Sequence, residues 1–547
     1  MTQGVEASRE PRAAALSVRA FVVAHAFWLG VAGVCVAASA FLVHQLMAWA
    51  PHEDETLAMF VGRDNFGGVI EHVTRERGGA PLHFLFAYAV AHLGGGLGSL
   101  RLVSAAFAVG SLPFVALLGR RLADRWTGLI ATALGAGSWV FLFHGVYARM
   151  YSLFLFLSVL SFVLILRALD RGAWPAWTAW GGAILLTVAA HPYGALVLAS
   201  QAVFVVAARR ERLRQAIVAF AAVSVVGIPF WLTDLVLAGR FDVGVGGGGD
   251  KLGGPSAILT YLWRTAGDFS SGKWPVLVVV LALALLGLRR SRAETRALTL
   301  CVVGVPVAAF LAARIGGSTS PESRHLIFVL PFFSILVAAG IRRSTRELPW
   351  PAAVVTVLLV ALEVSWASHR TPQLFNWEPN KRQGTRAQAE RFLAETSRPN
   401  DVLFGYEPLY LGAWERNHDF PDVVVPRADA VLALRTLDGD PKPLGRGVWI
   451  LDASERNNLK PRLEIENRDP GPPGLFERRV YGPFLILRTR EPVRTEDAYL
   501  AAAARAMLVG RSLGIGDADV NIQTIERADR TLRGYGPSVR LRSASSR

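Results

Sequence analysis

Apolar residues come in long runs separated by short polar breaks up to residue 368, and in no comparable run after it. The runs 20–48, 101–119, 127–146, 150–169, 174–190, 193–208, 215–237, 274–288, 297–314, 325–341 and 350–368 approach the roughly 20 residues that a helix needs to cross a bilayer. A further run, 81–97, is weaker. The pattern predicts a polar N-terminus (1–19) and a multi-span α-helical membrane module (20–368) with a first outer loop over 49–100. After residue 368 the pattern changes. Residues 385–397 read as an amphipathic helix, and Asp401–Phe404, Asp422–Val425, Val448–Leu451 and Phe484–Leu487 read as short buried strands. Residues 495–511 and 517–533 read as helices. Strands alternating with helices predict a small soluble α/β domain over 369–547.

Composition supports the membrane reading. The chain is 52% hydrophobic and 18% charged, against about 25% charged in soluble proteins. The net charge of +15 does not indicate a nucleic-acid partner, because residues 369–547 carry 28 basic and 24 acidic residues. Most of the excess lies between apolar runs, where membrane topology puts it. Arg120, Arg121 and Arg125 cluster in one break. Arg167 and Arg171, then Arg209, Arg210, Arg212 and Arg214, occupy others. So do Arg289, Arg290, Arg292 and Arg296, and finally Arg342, Arg343 and Arg346. With Arg9, Arg12 and Arg19, this side holds 19 of the 30 basic residues before position 369. The positive-inside rule makes it cytoplasmic. An odd number of crossings must then separate the outer segment 50–80 from Arg120. A surface helix at 81–97 that does not cross satisfies this, giving eleven spans; thirteen result if another piece of 50–80 inserts. Either count puts 369–547 outside the cell, in an integral plasma-membrane protein. Cys35 and Cys301 both lie in apolar runs and suggest no disulfide framework.

The candidate chemistry lies on the outer side. Pro51-His52-Glu53-Asp54-Glu55 follows the first span, and three adjacent carboxylates repel one another. The simple alternative is a solvated loop. Two polar stretches, His144 to Tyr151 and Ser320 to His325, interrupt the apolar half, and a third runs from Gly239 to Lys273. Arg149 and Arg324 stand at outer span ends, against the topological bias. Snorkelling to headgroups is one account of them; a bidentate phosphate clamp is the other. His191-Pro192-Tyr193 reads as a structural turn. Gly244 to Gly249 is glycine-rich, but no Lys-Ser/Thr follows it, so it reads as a loop.

Taken in order, these features resemble the GT-C superfamily of membrane glycosyltransferases, in particular glycosyltransferase family 39, with its protein O-mannosyltransferases and aminoarabinose transferases. The resemblance rests on Asp54-Glu55, Arg101-Leu102-Val103-Ser104-Ala105, Leu118-Gly119-Arg120-Arg121-Leu122, Ala148-Arg149-Met150-Tyr151 and Arg324-His325. It extends over about residues 17–345. Two positions depart from the family pattern. Gly79-Ala80-Pro81-Leu82-His83-Phe84 replaces a His-Pro-Pro-Leu-Tyr-Tyr segment, and Tyr147 stands where a Glu often precedes Ala-Arg-Met-Tyr. The missing Glu removes an acidic ligand and leaves metal dependence open, with His83 and His144 as substitutes.

The resemblance implies inverting transfer of a sugar from a polyprenyl-phosphate donor to an extracytoplasmic hydroxyl on a glycan, lipid or protein. Asp54 matches the catalytic acid, with Glu55 behind it. Arg149 and Arg324, then Arg264, are the expected phosphate ligands. His83, His144, Tyr147, Tyr151 and His325 are the expected substrate contacts. A transporter or lipid flippase with an outer accessory domain is the competing class. It would carry charge along the spans, whereas here the mid-span regions are almost free of charge, apart from Glu363 near the outer end of the last span.

Overall fold

The computed structural model describes residues 10–46, 48–49, 51–242, 255–315, 322–375, 379–427, 430–439, 442–452, 474–515 and 518–533. The glycine-rich stretch 244–249 and residues 316–321 lie outside them.

Among the described residues six helices are long and apolar enough to cross a bilayer: His25–Gln45, Leu97–Leu122, Tyr151–Arg171, Ala293–Ala312, Ser323–Ser344 and Pro349–Arg370. Two further pairs of helices are long and apolar enough only when taken together, and each pair is bent at a short break. Arg125–Gly137 and Trp139–Val146 meet at 60°, and Arg210–Val226 and Ile228–Leu237 at 59°. At the first break Ser138 is extended, and its hydroxyl accepts the Phe141 N–H to start a new helix. At the second, Gly227 precedes Ile228-Pro229, whose ring has no N–H to continue the first helix. The expected spans 174–190, 193–208 and 274–288 are helices of 17, 15 and 17 residues, shorter than a typical crossing. Segment 81–97 contains the helix Pro81–His92 of 12 residues. At about 1.5 Å per residue it is near 18 Å long, too short to cross.

Close approaches hold the bundle together. A Cβ on Gly287 would sit 2.0 Å from the Leu336 carbonyl oxygen, and one on Gly340 would sit 2.0 Å from that of Leu283. Only glycine lets these two helix backbones touch. At one end of the bundle, Arg121 and Arg209 both pair with Asp170 and Glu294. This network clamps the ends of Leu97–Leu122 and Tyr151–Arg171 to the start of Ala293–Ile315. The arginine clusters gather at this end, the side that the positive-inside rule predicts to be cytoplasmic. Single-cysteine labelling in a Cys35→Ser, Cys301→Ser background tests that sidedness. An impermeant reagent is expected to reach position 420 in intact cells and not position 210; the reverse would invert the assignment.

The opposite end carries a five-stranded sheet in the order β2-β1-β3-β5-β4, made of β1 (Val402–Phe404), β2 (Val424–Val425), β3 (Gly447–Asp452), β4 (Phe476–Tyr481) and β5 (Phe484–Thr489). β1 is parallel to β2 and β3; β5 is antiparallel to β3 and β4. Strand alternation sends Val402, Phe404, Trp449, Leu451, Leu485 and Leu487 to one face, against Glu496–Ser512 and Ala430–Asp438. Leu403, Val448, Ile450, Phe484 and Ile486 point to the other. There they share a core with Leu393 and Leu409 and with Met59, Phe60 and Ala148 of the membrane module. The sheet is therefore packed onto the loop that follows the first span. Sequence reading missed β4, Pro408–Arg416 and Ala430–Asp438. β4 (FERRVY) is a charged, half-exposed edge strand, and such strands lack a buried apolar signature.

Candidate active site

Three adjacent acids open the helix Glu53–Arg63. Carboxylates are favoured in a first turn, where backbone N–H groups point outward. His52 caps the helix: its Nδ1 accepts the Asp54 N–H at 3.1 Å, and Glu55 accepts the His52 N–H at 2.9 Å. Successive helical residues are turned by about 100°, so the three carboxylates leave in three directions and meet three different partners.

Glu55 points inward and is fully buried. Arg101 Nε and NH2 donate to its two oxygens at 2.8 and 2.6 Å, and the Ala148 N–H adds a bond of 2.7 Å. Arg101, also buried, donates to the carbonyls of Leu46 and Trp49 and lies over the Tyr147 ring. This pair ties the first span, the acidic loop and the Ala148-Arg149 segment together. Both Glu55 oxygens are occupied, so its geometry is that of a positioning residue. Glu53 points toward the sheet, where it accepts the Tyr406 N–H at 3.3 Å and faces Arg427 at 3.6 Å.

Asp54 remains over the open side, 36% exposed, with its Oδ2 2.6 Å from Arg149 NH1. Burial pushes its carboxyl up, but Arg149, His52 and Arg324 together hold it well below the usual carboxylate range. Arg149 lies over one ring, Tyr151, that Arg324 also approaches, at 5.2 and 5.5 Å to the guanidinium carbons. Arg324 pairs with Glu322 at 2.5 Å, while its Nε is buried without a partner. The Ser104 hydroxyl donates to the Arg149 carbonyl at 3.2 Å.

Histidines complete the site. His83 stands in the first turn of Pro81–His92; burial, then the Arg149 charge, lowers it to about 4, so the imidazole is neutral. The Tyr151 ring is 4.6 Å from His144, 5.4 Å from His191 and 5.9 Å from His325. Sequence reading placed His191 in a turn, which it is. The same turn brings its ring, with Tyr193, against His325 at 5.5 and 5.1 Å.

Most of the expected residues converge, with two reassignments. Tyr147 lies under the Arg101 guanidinium of the Glu55–Arg101 pair and stacks on Trp49. Arg264 is not drawn in. It is exposed on Pro255–Asp268, without an ion pair or hydrogen bond among the described residues, and it is Asp268 on that helix that accepts from Ser323 beside Arg324. Sequence reading gave Arg101 no role of its own, although a charge at the mouth of an apolar run is a visible signal. Among the described residues no group of three or more His, Cys, Asp or Glu side chains could hold a metal ion. With Glu55 committed to Arg101, the residues present do not fit a divalent cation.

No protein-family model matches the sequence, and no curated protein matches it. Solved structures do. The crystal structure of ArnT from Cupriavidus metallidurans bound to undecaprenyl phosphate superposes with a TM-score of 0.57 at 14% identity, covering 85% of this chain and 98% of that one. Its apo state gives 0.55 over the same shares at the same identity. The chain is an integral membrane protein with the fold of the GT-C membrane glycosyltransferases, the fold that its Asp54-Glu55, Ala148-Arg149-Met150-Tyr151 and Arg324-His325 motifs resemble.

Proposed function

We propose that the chain transfers a sugar from a polyprenyl-phosphate donor to an acceptor hydroxyl on the outer side of the plasma membrane, with inversion at the anomeric carbon. The observation that carries this reading is the Asp54–Arg149 pair, with Arg324 across the same Tyr151 ring. One carboxylate beside two guanidinium groups suits a reaction that removes a proton and expels a phosphate. The undecaprenyl phosphate bound to ArnT supports the donor class.

The acceptor hydroxyl gives its proton to Asp54 as its oxygen bonds to the anomeric carbon. The bond from that carbon to the phosphate oxygen breaks, and its electron pair leaves with the polyprenyl phosphate. Arg149 and Arg324 hold the charge that develops there. A carboxylate held as low as Asp54 is a weak base while Arg149 is its partner. A donor phosphate that takes over Arg149 relieves that hold and raises the basicity of Asp54, coupling donor arrival to proton removal.

A small recess beside Arg149 is polar at one end and apolar along its walls. Its polar end is His83, Ser104 and Arg149; Phe86, Phe107 and Leu153 form apolar walls. The rings continue away from the arginine, with Phe107 5.6 Å from Phe156 and Phe156 5.6 Å from Phe114. A phosphate at Arg149 would leave a polyprenyl chain along these rings.

The clamp is tested by substitution. Arg149→Ala and Arg324→Ala are expected to weaken donor use at least tenfold, about 1.4 kcal/mol or more, whereas Arg→Lys at each position loses less because the charge survives without the bidentate fork. Steady-state transfer at varied donor concentration measures this. Normal rates in both Ala variants would reduce these arginines to headgroup anchors.

A further inference from the structure

Asp268 is a buried acid that the proposed chemistry does not use. It ends the helix Pro255–Asp268 and is 5% exposed. A carboxylate there meets the negative end of the helix dipole, and burial adds a desolvation cost. Burial pushes its carboxyl up, against the pull of Arg370 and Ser323. Helix energetics alone therefore do not favour an acid at this position. The turn after it is pressed against the last span. There the Ser270 hydroxyl donates to Glu363 at 3.1 Å, and a Cβ on Gly272 would sit 2.2 Å from the Trp366 ring. This packing holds the Asp268 backbone in place.

Both carboxylate oxygens are engaged, each by a different element. Oδ2 accepts the Ser323 hydroxyl at 2.7 Å, and Oδ1 pairs with Arg370 Nε at 3.0 Å. Arg370 ends the last span, and its guanidinium lies over Trp139, at the start of the helix that carries His144. Ser323 precedes Arg324 at the head of the short 3₁₀ helix Ser323–Val329. Two other polar contacts there, Arg324 to Glu322 and the Glu322 N–H to His325 Nδ1, close within the segment itself. They shape the segment but do not set its place against the bundle. The Ser323 bond to Asp268 leaves the segment, one residue from the guanidinium that approaches Tyr151. Main-chain hydrogen bonds in a 3₁₀ stretch have poor geometry, so a side-chain tie at its first residue bears directly on where Arg324 stands.

We infer that Asp268 is a positioning residue for the phosphate clamp: through Ser323 it holds Arg324 at the Tyr151 ring, and through Arg370 it ties that position to the last span. This rests on the donor reading for the word phosphate. Asp268 acts through Arg324 and not on the donor itself, and the last span thereby contributes to the clamp from outside it.

The test measures equilibrium binding of labelled undecaprenyl phosphate to the full-length protein in detergent micelles. Asp268→Ala is expected to weaken binding about fivefold, as the loss of a hydrogen bond to a charged group does. Ser323→Ala should weaken it about threefold, since the Arg370 pair stays in place. Asp268→Asn keeps an oxygen for the Ser323 hydroxyl and should lose less than Asp268→Ala. A double-mutant cycle separates this role from a merely structural one. In an Arg324→Ala background the further loss from Asp268→Ala should fall below about twofold, because its route to the phosphate is gone. Unchanged binding by Asp268→Ala, or the same loss in the Arg324→Ala background, overturns the inference. Thermal midpoints check folding; should Asp268→Ala fail to fold, Ser323→Ala in the same cycle decides. Wild type that does not bind undecaprenyl phosphate at all would instead overturn the donor reading, and this inference with it.

Discussion

Asp54→Asn is expected to abolish detectable sugar transfer while the protein inserts and folds normally. The substitution keeps the shape of the side chain and removes the basic oxygen. Loss of a general base typically slows a reaction about 10²–10⁴-fold. Asp54 is the one acid of the three left facing the open side, with Arg149 at 2.6 Å; Glu53 and Glu55 are turned to Tyr406 and Arg101. Glu53→Gln should therefore be mild. The depressed carboxyl of Asp54 adds a pH expectation. Its base form persists throughout pH 5–8, so protonation of Asp54 in the free enzyme should not set the acid limb of kcat/KM. The measurement is transfer from a defined polyprenyl-phosphate sugar, with folding checked by gel filtration in detergent. A well-folded Asp54→Asn protein with normal turnover would remove Asp54 from the chemistry.

The second large effect is on stability. Glu55→Gln leaves the Arg101 charge buried without its counter-ion, as the two side chains are 0% and 2% exposed. Breaking a buried pair by removing one partner costs about 3–5 kcal/mol. A large drop in thermal midpoint is expected for Glu55→Gln and for Arg101→Met alone. The double variant should be less destabilised than the sum of the two, because no lone charge remains. It should still transfer sugar poorly, since the acidic loop loses its tie to Leu46, Trp49 and Ala148. Additive effects in the double variant would mean that the pair is not coupled.

The membrane fold was legible because hydrophobic runs and basic breaks are enforced by the bilayer itself. Where the sequence departed from that rule, it marked the candidate site: Arg149 and Arg324 stood out as charges against the topological bias. Residues serving both topology and site were harder to read. His191 marks a turn and also packs against His325. Arg101 begins a span and also holds Glu55. Nothing in the sequence says that Glu53, Asp54 and Glu55 have separate partners, because that follows from helical rotation and from a sheet about 350 residues further on. Arg264 ranks behind Arg149 and Arg324 in the sequence, and its position on Pro255–Asp268 leaves it exposed.

The most direct measurement of the central claim is the polyprenyl-phosphate sugar pool of the membrane, by mass spectrometry, in cells with and without the gene. Cells lacking it are expected to accumulate one polyprenyl-phosphate sugar and to lose that sugar from an envelope glycan, lipid or protein, with both changes reversed by wild type and not by Asp54→Asn. An unchanged donor pool together with unchanged envelope sugars would contradict the account.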